Sequence, residues 1–188
     1  MTETVTIRNG IDVDQLQATI AHVQDDAAAA TFTFRASSRW QDGMYNIGRI
    51  GSFDHAGETD GSRSEPFTLQ GDEPPVLLGD NRGPNAVELV LQALAFCYAA
   101  GYVANAAAQG IDITRMDYEI EGDIDLHDFL GQQGPRPGFT EIRATGTVSS
   151  PNASEEQLTA LCQYVQDTSP VRDVLANATP VRTTLQVV

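Results

Sequence analysis

The stretch NAVELVLQALAFCYAAGYVANAAAQG, Asn85 to Gly110, decides the fold. It is apolar on almost every face, and its spacing predicts one long helix. Ala86, Val90, Ala93, Cys97, Ala100 and Ala104 fall at steps of three and four, a stripe of mostly small side chains. Val87, Leu91, Leu94, Tyr98 and Tyr102 take the other face. A helix apolar on all sides is expected to be buried on all sides, and the small stripe lets another helix approach closely. Cys97 lies on that stripe. It is open to two readings: a small packing residue, inert like most buried cysteines, or a nucleophile that solvent can reach.

The surrounding segments alternate in type. DVDQLQATIAHVQDD reads as an amphipathic helix with Asp12 as its cap. ATFTFRASSRW and MYNIGRIGSF read as strands joined by the turn QDG, and PFTLQ as a third short strand. DHAGETDGSRSE between them is polar and glycine-rich, and is expected to be a mobile loop. After the long helix, ITRMDYEIEGDIDL and FTEIRATGTVSS read as longer strands. SEEQLTALCQYVQDT follows as a helix announced by Ser154 and Gln157 at capping-box spacing. SPVRDVLANA is a short helix with Pro170 at its first position, and PVRTTLQVV closes as a strand. Strand runs with few helices point to an α+β fold with an antiparallel sheet packed on the long central helix.

Composition narrows the function. The 188 residues suit one domain with a sizeable core. Eleven basic residues, every one arginine, face 26 acidic ones, a formal net charge of -15. Such acidity repels phosphate backbones, so nucleic acid is not an expected partner. Absent lysine and abundant aspartate fit a halophile's proteome, although a GC-rich genome also removes lysine. At molar salt the Debye length falls to ~3 Å, which screens the self-repulsion. The amino terminus lacks a basic start and an apolar run, and no membrane partner is expected. Two cysteines, Cys97 and Cys162, cannot build a secreted disulfide framework, so a cytoplasmic location is expected. His22, His55 and His127 are scattered, and neither a metal nor a cofactor is expected. Cys162 shares a helix face with Leu158, Leu161 and Val165 and reads as core.

GPNAVELVLQALAFCYAAGYVANAAAQGIDI resembles the central helix of the osmotically inducible protein C and organic hydroperoxide resistance family, the OsmC/Ohr family. There a proline-bearing approach, a glutamate and a helical ALAxC cysteine recur. YEIEGDIDL, GFTEIRATGTVSS and SEEQLTALCQYVQDTSPVRDVLANATPVRTTLQV follow in the order of that family's later half, and RWQDGMYNIGRI resembles its early strand pair. The resemblance covers residues 30–188 and leaves 1–29 as an N-terminal helical extension. It implies an OsmC-like fold in an intertwined homodimer, with the central helices packed at the dimer centre. It also implies a cytoplasmic, thiol-dependent reduction of organic hydroperoxides. Carried over by position, Cys97 is the peroxidatic thiol, Glu88 its acidic partner and Arg39 the thiolate-stabilising arginine, with Arg49 as the competitor. A free thiol is mostly protonated at neutral pH, and a nearby guanidinium favours its charged form.

Spacing constrains these roles. Glu88 and Cys97 are nine residues apart, so ~13.5 Å of helical rise separates them on roughly opposite faces. Either Glu88 acts across a dimer interface, or it forms a capping box with Asn85. Both remain open at the level of sequence. Relatives with two cysteines carry the second in a CP step before the last short helix, whereas here the step reads TSP and Ser169 takes that place. A sulfenic acid on Cys97 would then meet an external thiol. The alternative is a non-catalytic dimer on the same scaffold, binding a small apolar or sulfur-containing ligand, or a purely structural dimer.

Overall fold

Pairs of residues with positive φ cut the N-terminal part of the chain into short ribbons. Asn9 (52°) and Gly10 (78°) turn β1 (Ile7–Arg8) into β2 (Ile11–Asp12). Positive φ at both central residues is what a tight two-residue hairpin requires. The structure, a computed structural model, describes residues 5–188; the first four residues of the N-terminal extension lie outside them. Its packing separates the chain into one unit ending at Val90 and another spanning Leu91–Val188.

In the first unit, α1 (Val13–Asp25) starts where its sequence predicts, with the Asp12 carboxylate accepting from the Gln15 N–H at 2.9 Å. β3 (Phe32–Thr33) and β4 (Ala36–Asp42) follow, so ATFTFRASSRW is two strands and not one. β5 (Tyr45–Ile50) pairs antiparallel with β4 across the expected turn at Gly43. The segment expected to be a mobile loop instead holds a second tight hairpin, β6 (Asp54–His55) and β7 (Glu58–Thr59). Ala56 and Gly57 supply its positive-φ turn. Local contacts fix this hairpin: the His55 ring stacks on Phe32 at 4.5 Å, and Thr59 Oγ1 donates to Asp54 at 2.9 Å. β8 (Phe67–Gly71) completes a β4-β5-β8 sheet.

Between β8 and the long helix, the buried Asp72 carboxylate accepts from the backbone N–H groups of Glu73, Asp80 and Arg82 at 2.9–3.2 Å. Burial pushes its carboxyl up, but these donors outweigh burial and hold it below the usual carboxylate range. Gly83 allows the chain to pass close by, since a Cβ there would lie 2.3 Å from the Gln70 carbonyl oxygen. The long helix α2 (Ala86–Ala108) then begins with a reciprocal cap. The Glu88 N–H donates to Asn85 Oδ1 at 2.9 Å, and the Asn85 N–H donates to Glu88 Oε2 at 2.8 Å.

In the second unit, β9 (Arg115–Ile124) and β10 (Phe139–Ser149) form a long antiparallel pair. Alternation along β9 turns Met116, Tyr118 and Ile120 toward the core. Gly146 lies opposite Tyr118, and a Cβ there would sit 2.9 Å from the tyrosine ring. α3 (Glu155–Thr168) opens with both halves of the predicted capping box, and α4 (Pro170–Ala176) follows directly. Leu94, Tyr98 and Tyr102 of α2 pack with Leu161 and Val165 of α3 to form the core.

Two further expectations are not met within the single chain. Within the chain α2 is buried on one face only, that of Leu94, Tyr98, Tyr102, Ala106 and Ala107. Ala86, Ala93 and Ala100 of the small stripe are exposed, as is Phe96 at 68%. The helix is long and apolar enough to cross a membrane by length and composition, yet here it supplies a core. Residues 180–188, expected as a strand, pair with no strand among the described residues, and Val181 and Leu185 are exposed. A strand exists only through its ladder, and this segment has none.

The cap yields a prediction for Glu88. Glu88→Gln can keep both reciprocal bonds and is expected to leave thermal stability within about 0.5 kcal/mol of wild type, whereas Glu88→Ala should cost about 1 kcal/mol. Equal melting temperatures for the two variants would contradict the capping role.

Candidate functional site

Pro170 sets the geometry around Cys97. Proline has no N–H to continue α3 and disfavours helical geometry in the residue before it. Ser169 is accordingly extended, at φ -73° and ψ 117°, and the chain turns there from α3 into α4. At this corner the Ser169 hydroxyl accepts the Arg172 N–H at 3.1 Å, capping α4. The same oxygen lies 3.2 Å from Cys97 Sγ, on the middle of α2. Ser169 is 5% exposed and Cys97 half-buried. The residue at the second-cysteine position of the TSP step is therefore in direct contact with the candidate thiol.

Arg172 brings a positive charge to the same corner. Its guanidinium lies 4.0 Å from Asp167 and 3.5 Å from the Gln166 carbonyl oxygen. Burial raises the Tyr98 hydroxyl's pKa and Arg172 opposes that rise. Sequence reasoning did not single out Arg172. Its signal was its place three residues beyond Ser169, where a capped helix returns the chain toward its own N-cap.

Arg39 and Arg49 are brought together. Arg39 pairs in register with Ile47 and Ser37 with Arg49, which sets the two arginines diagonally on one face of the β4-β5 ribbon. With Ser37, Gln41 and Ile47 they line a recess of about 510 Å³. Neither forms an ion pair among the described residues. The arginine chosen from the resemblance, Arg39, and its competitor, Arg49, thus share one surface. Glu88 spends a carboxylate oxygen on its helix cap, nine residues before Cys97 on α2.

Cys162 occupies a different environment. It packs at the margin of the core and lines a cavity of about 500 Å³ with Tyr102, Met116, Tyr118 and Leu158. Gln166 Nε2 donates to its sulfur at 3.3 Å, and the Tyr118 hydroxyl stands 4.0 Å away. Burial first, and then Cys162, push Tyr118 upward and Tyr102 to about 12, so both phenols are neutral at pH 7. About 9 Å of helical rise separates Cys162 from Thr168 at the end of α3, and both cysteines are free thiols. Among the described residues, no group of three or more His, Cys, Asp or Glu side chains could hold a metal ion.

The fold has counterparts among solved structures. The chain is similar in fold to an OsmC-like protein from Mycoplasma pneumoniae, at a TM-score of 0.57 and 19% identity over 77% of this chain and 87% of that one. It is also similar to an organic hydroperoxide resistance protein OsmC from Legionella pneumophila, at a TM-score of 0.52 and 16% identity, covering 78% and 90% of the two chains. No curated protein matches the sequence. The family described as OsmC-like protein matches residues 79–184, a span that takes in α2, the β9-β10 pair, α3 and α4. By that match over more than half its length, the chain belongs to the OsmC-like protein family.

Proposed function

We propose that the protein is a single-cysteine, thiol-dependent peroxidase that reduces organic hydroperoxides in the cytoplasm, with Cys97 as nucleophile. The observation that carries this reading is the half-buried Cys97 sulfur 3.2 Å from a buried hydroxyl, which the Arg172 backbone N–H fixes in place. In the proposed reaction the Cys97 thiolate attacks the terminal oxygen of the hydroperoxide. An S–O bond forms, the O–O bond breaks, and the departing alkoxide takes a proton to become an alcohol. Cys97 is left as sulfenic acid. An external thiol then condenses with it, releasing water, and a second thiol frees Cys97 and leaves as a disulfide.

A guanidinium near the sulfur favours the thiolate. Arg39 is the first candidate carried over from the family and Arg49 the second; their lack of ion-pair partners leaves both able to serve an anion. Arg172 is a third, supported by its position in the corner. If Glu88 orients an arginine, its cap leaves the other carboxylate oxygen for that task, with the arginine coming from a second chain. The exposed Ala86, Ala93 and Ala100 stripe and the exposed Phe96 support a homodimer, because an apolar helix face of this length is not left to water. A second reading, a non-catalytic dimer that binds a small apolar or sulfur-containing ligand, is favoured by the cavity beside Cys162.

Purified protein, mixed with cumene hydroperoxide and a dithiol, is expected to consume the peroxide. Cys97→Ser should lower the rate at least a hundredfold, while Cys162→Ser should leave it within about twofold. Equal rates in wild type and Cys97→Ser would overturn the peroxidase reading. Sedimentation equilibrium in high salt is expected to give a dimer, and a stable monomer would contradict the dimer proposed from α2.

A further inference from the structure

We infer that Ser169 is a positioning residue for the reactive thiol, its hydroxyl donating a hydrogen bond to the Cys97 sulfur and holding it as thiolate. This deepens the peroxidase reading and rests on it. A serine hydroxyl has one proton and two lone pairs. Here one lone pair is taken by the Arg172 N–H at 3.1 Å, which fixes the oxygen at the start of α4. The proton remains, and Cys97 Sγ is 3.2 Å away. Ser169 is almost fully buried, so water does not compete freely for that proton. A hydrogen bond given to a charged sulfur favours the charged form, and more so where solvent is excluded.

The ionisable groups that act on Tyr98, the residue after Cys97, are Cys162 and Asp167 on α3 and Arg172 on α4, besides Cys97 itself. Apart from Cys97, none of their side chains takes the Ser169 proton among the described residues. Cys162 is engaged by Gln166 and lies beside Tyr118. The substitution of oxygen for sulfur at position 169 therefore changes the job of the residue. A thiol there could close a disulfide on Cys97; a hydroxyl cannot, but it can serve the thiolate throughout the cycle. The same donor then faces the sulfenic acid, which persists until an external thiol arrives.

The test measures iodoacetamide alkylation of Cys97 by peptide mass spectrometry, across pH, in wild type, Ser169→Gly and Ser169→Thr. Glycine is tolerated at an N-cap, so Ser169→Gly removes the donor with little loss of the α4 cap. Ser169→Gly is expected to alkylate about tenfold more slowly than wild type at pH 7, the rates converging near about pH 10, where every thiol is ionised. Ser169→Thr should stay close to wild type. Ser169→Cys adds an independent check of contact: one equivalent of cumene hydroperoxide should link Cys97 to the introduced thiol. Equal alkylation of wild type and Ser169→Gly at pH 7, or no link in Ser169→Cys although Cys97 is oxidised, would overturn the role of Ser169 and leave the peroxidase reading standing. Wild-type Cys97 that cumene hydroperoxide does not oxidise at all would instead overturn the reading on which it rests.

Discussion

A proline at the start of a seven-residue helix determines what surrounds Cys97. Pro170 ends α3, forces Ser169 out of helical geometry and starts α4, so the Ser169 hydroxyl is planted against the middle of α2. The contact does not depend on a flexible side chain. Serine has a single rotatable bond to its oxygen, and that oxygen is fixed by the Arg172 N–H. The core beneath the corner, Leu94, Tyr98 and Tyr102 against Leu161 and Val165, holds α2 and α3 at the separation that makes the contact possible.

The same packing divides the labour of the two cysteines. Cys97 faces the Ser169 hydroxyl, which also accepts the Arg172 N–H. Cys162 faces two neutral phenols and the Gln166 amide, which donates to its sulfur, at the margin of the core. Both sulfurs have a polar neighbour, a serine hydroxyl for Cys97 and a glutamine amide for Cys162, but only Cys97 meets the residue at the second-cysteine position. Residue type alone did not separate them; surroundings do.

Much of this was legible in the sequence, for local reasons. Asp12, Ser154 with Gln157, and Asn85 with Glu88 announce helix starts through bonds spanning three residues, and all three caps form. The segments that became β9 and β10 were both read as strands. Legibility ended where structure depends on partners distant in sequence. The β6-β7 hairpin was hidden because Ala56, a residue that rarely takes positive φ, occupies the turn. The segment expected as a strand at residues 180–188 has no ladder among the described residues of the chain, and an apolar pattern cannot reveal that. At the site, position 169 was legible as the family's second-cysteine place, but the approach of its hydroxyl to Cys97 needed a fold linking residues 72 positions apart. Arg39 was put ahead of Arg49 by the family resemblance alone, and register sets the two diagonally on one face of the β4-β5 ribbon.

The central claim is that Cys97 is oxidised by organic hydroperoxide and, with oxygen rather than sulfur at position 169, stops at sulfenic acid. The most direct measurement treats the reduced protein with one equivalent of cumene hydroperoxide in the presence of dimedone and maps the products by mass spectrometry. A dimedone adduct on Cys97, with Cys162 unmodified and no disulfide between them, is the expected result. An unmodified Cys97, or a Cys97–Cys162 disulfide in place of the adduct, would contradict it.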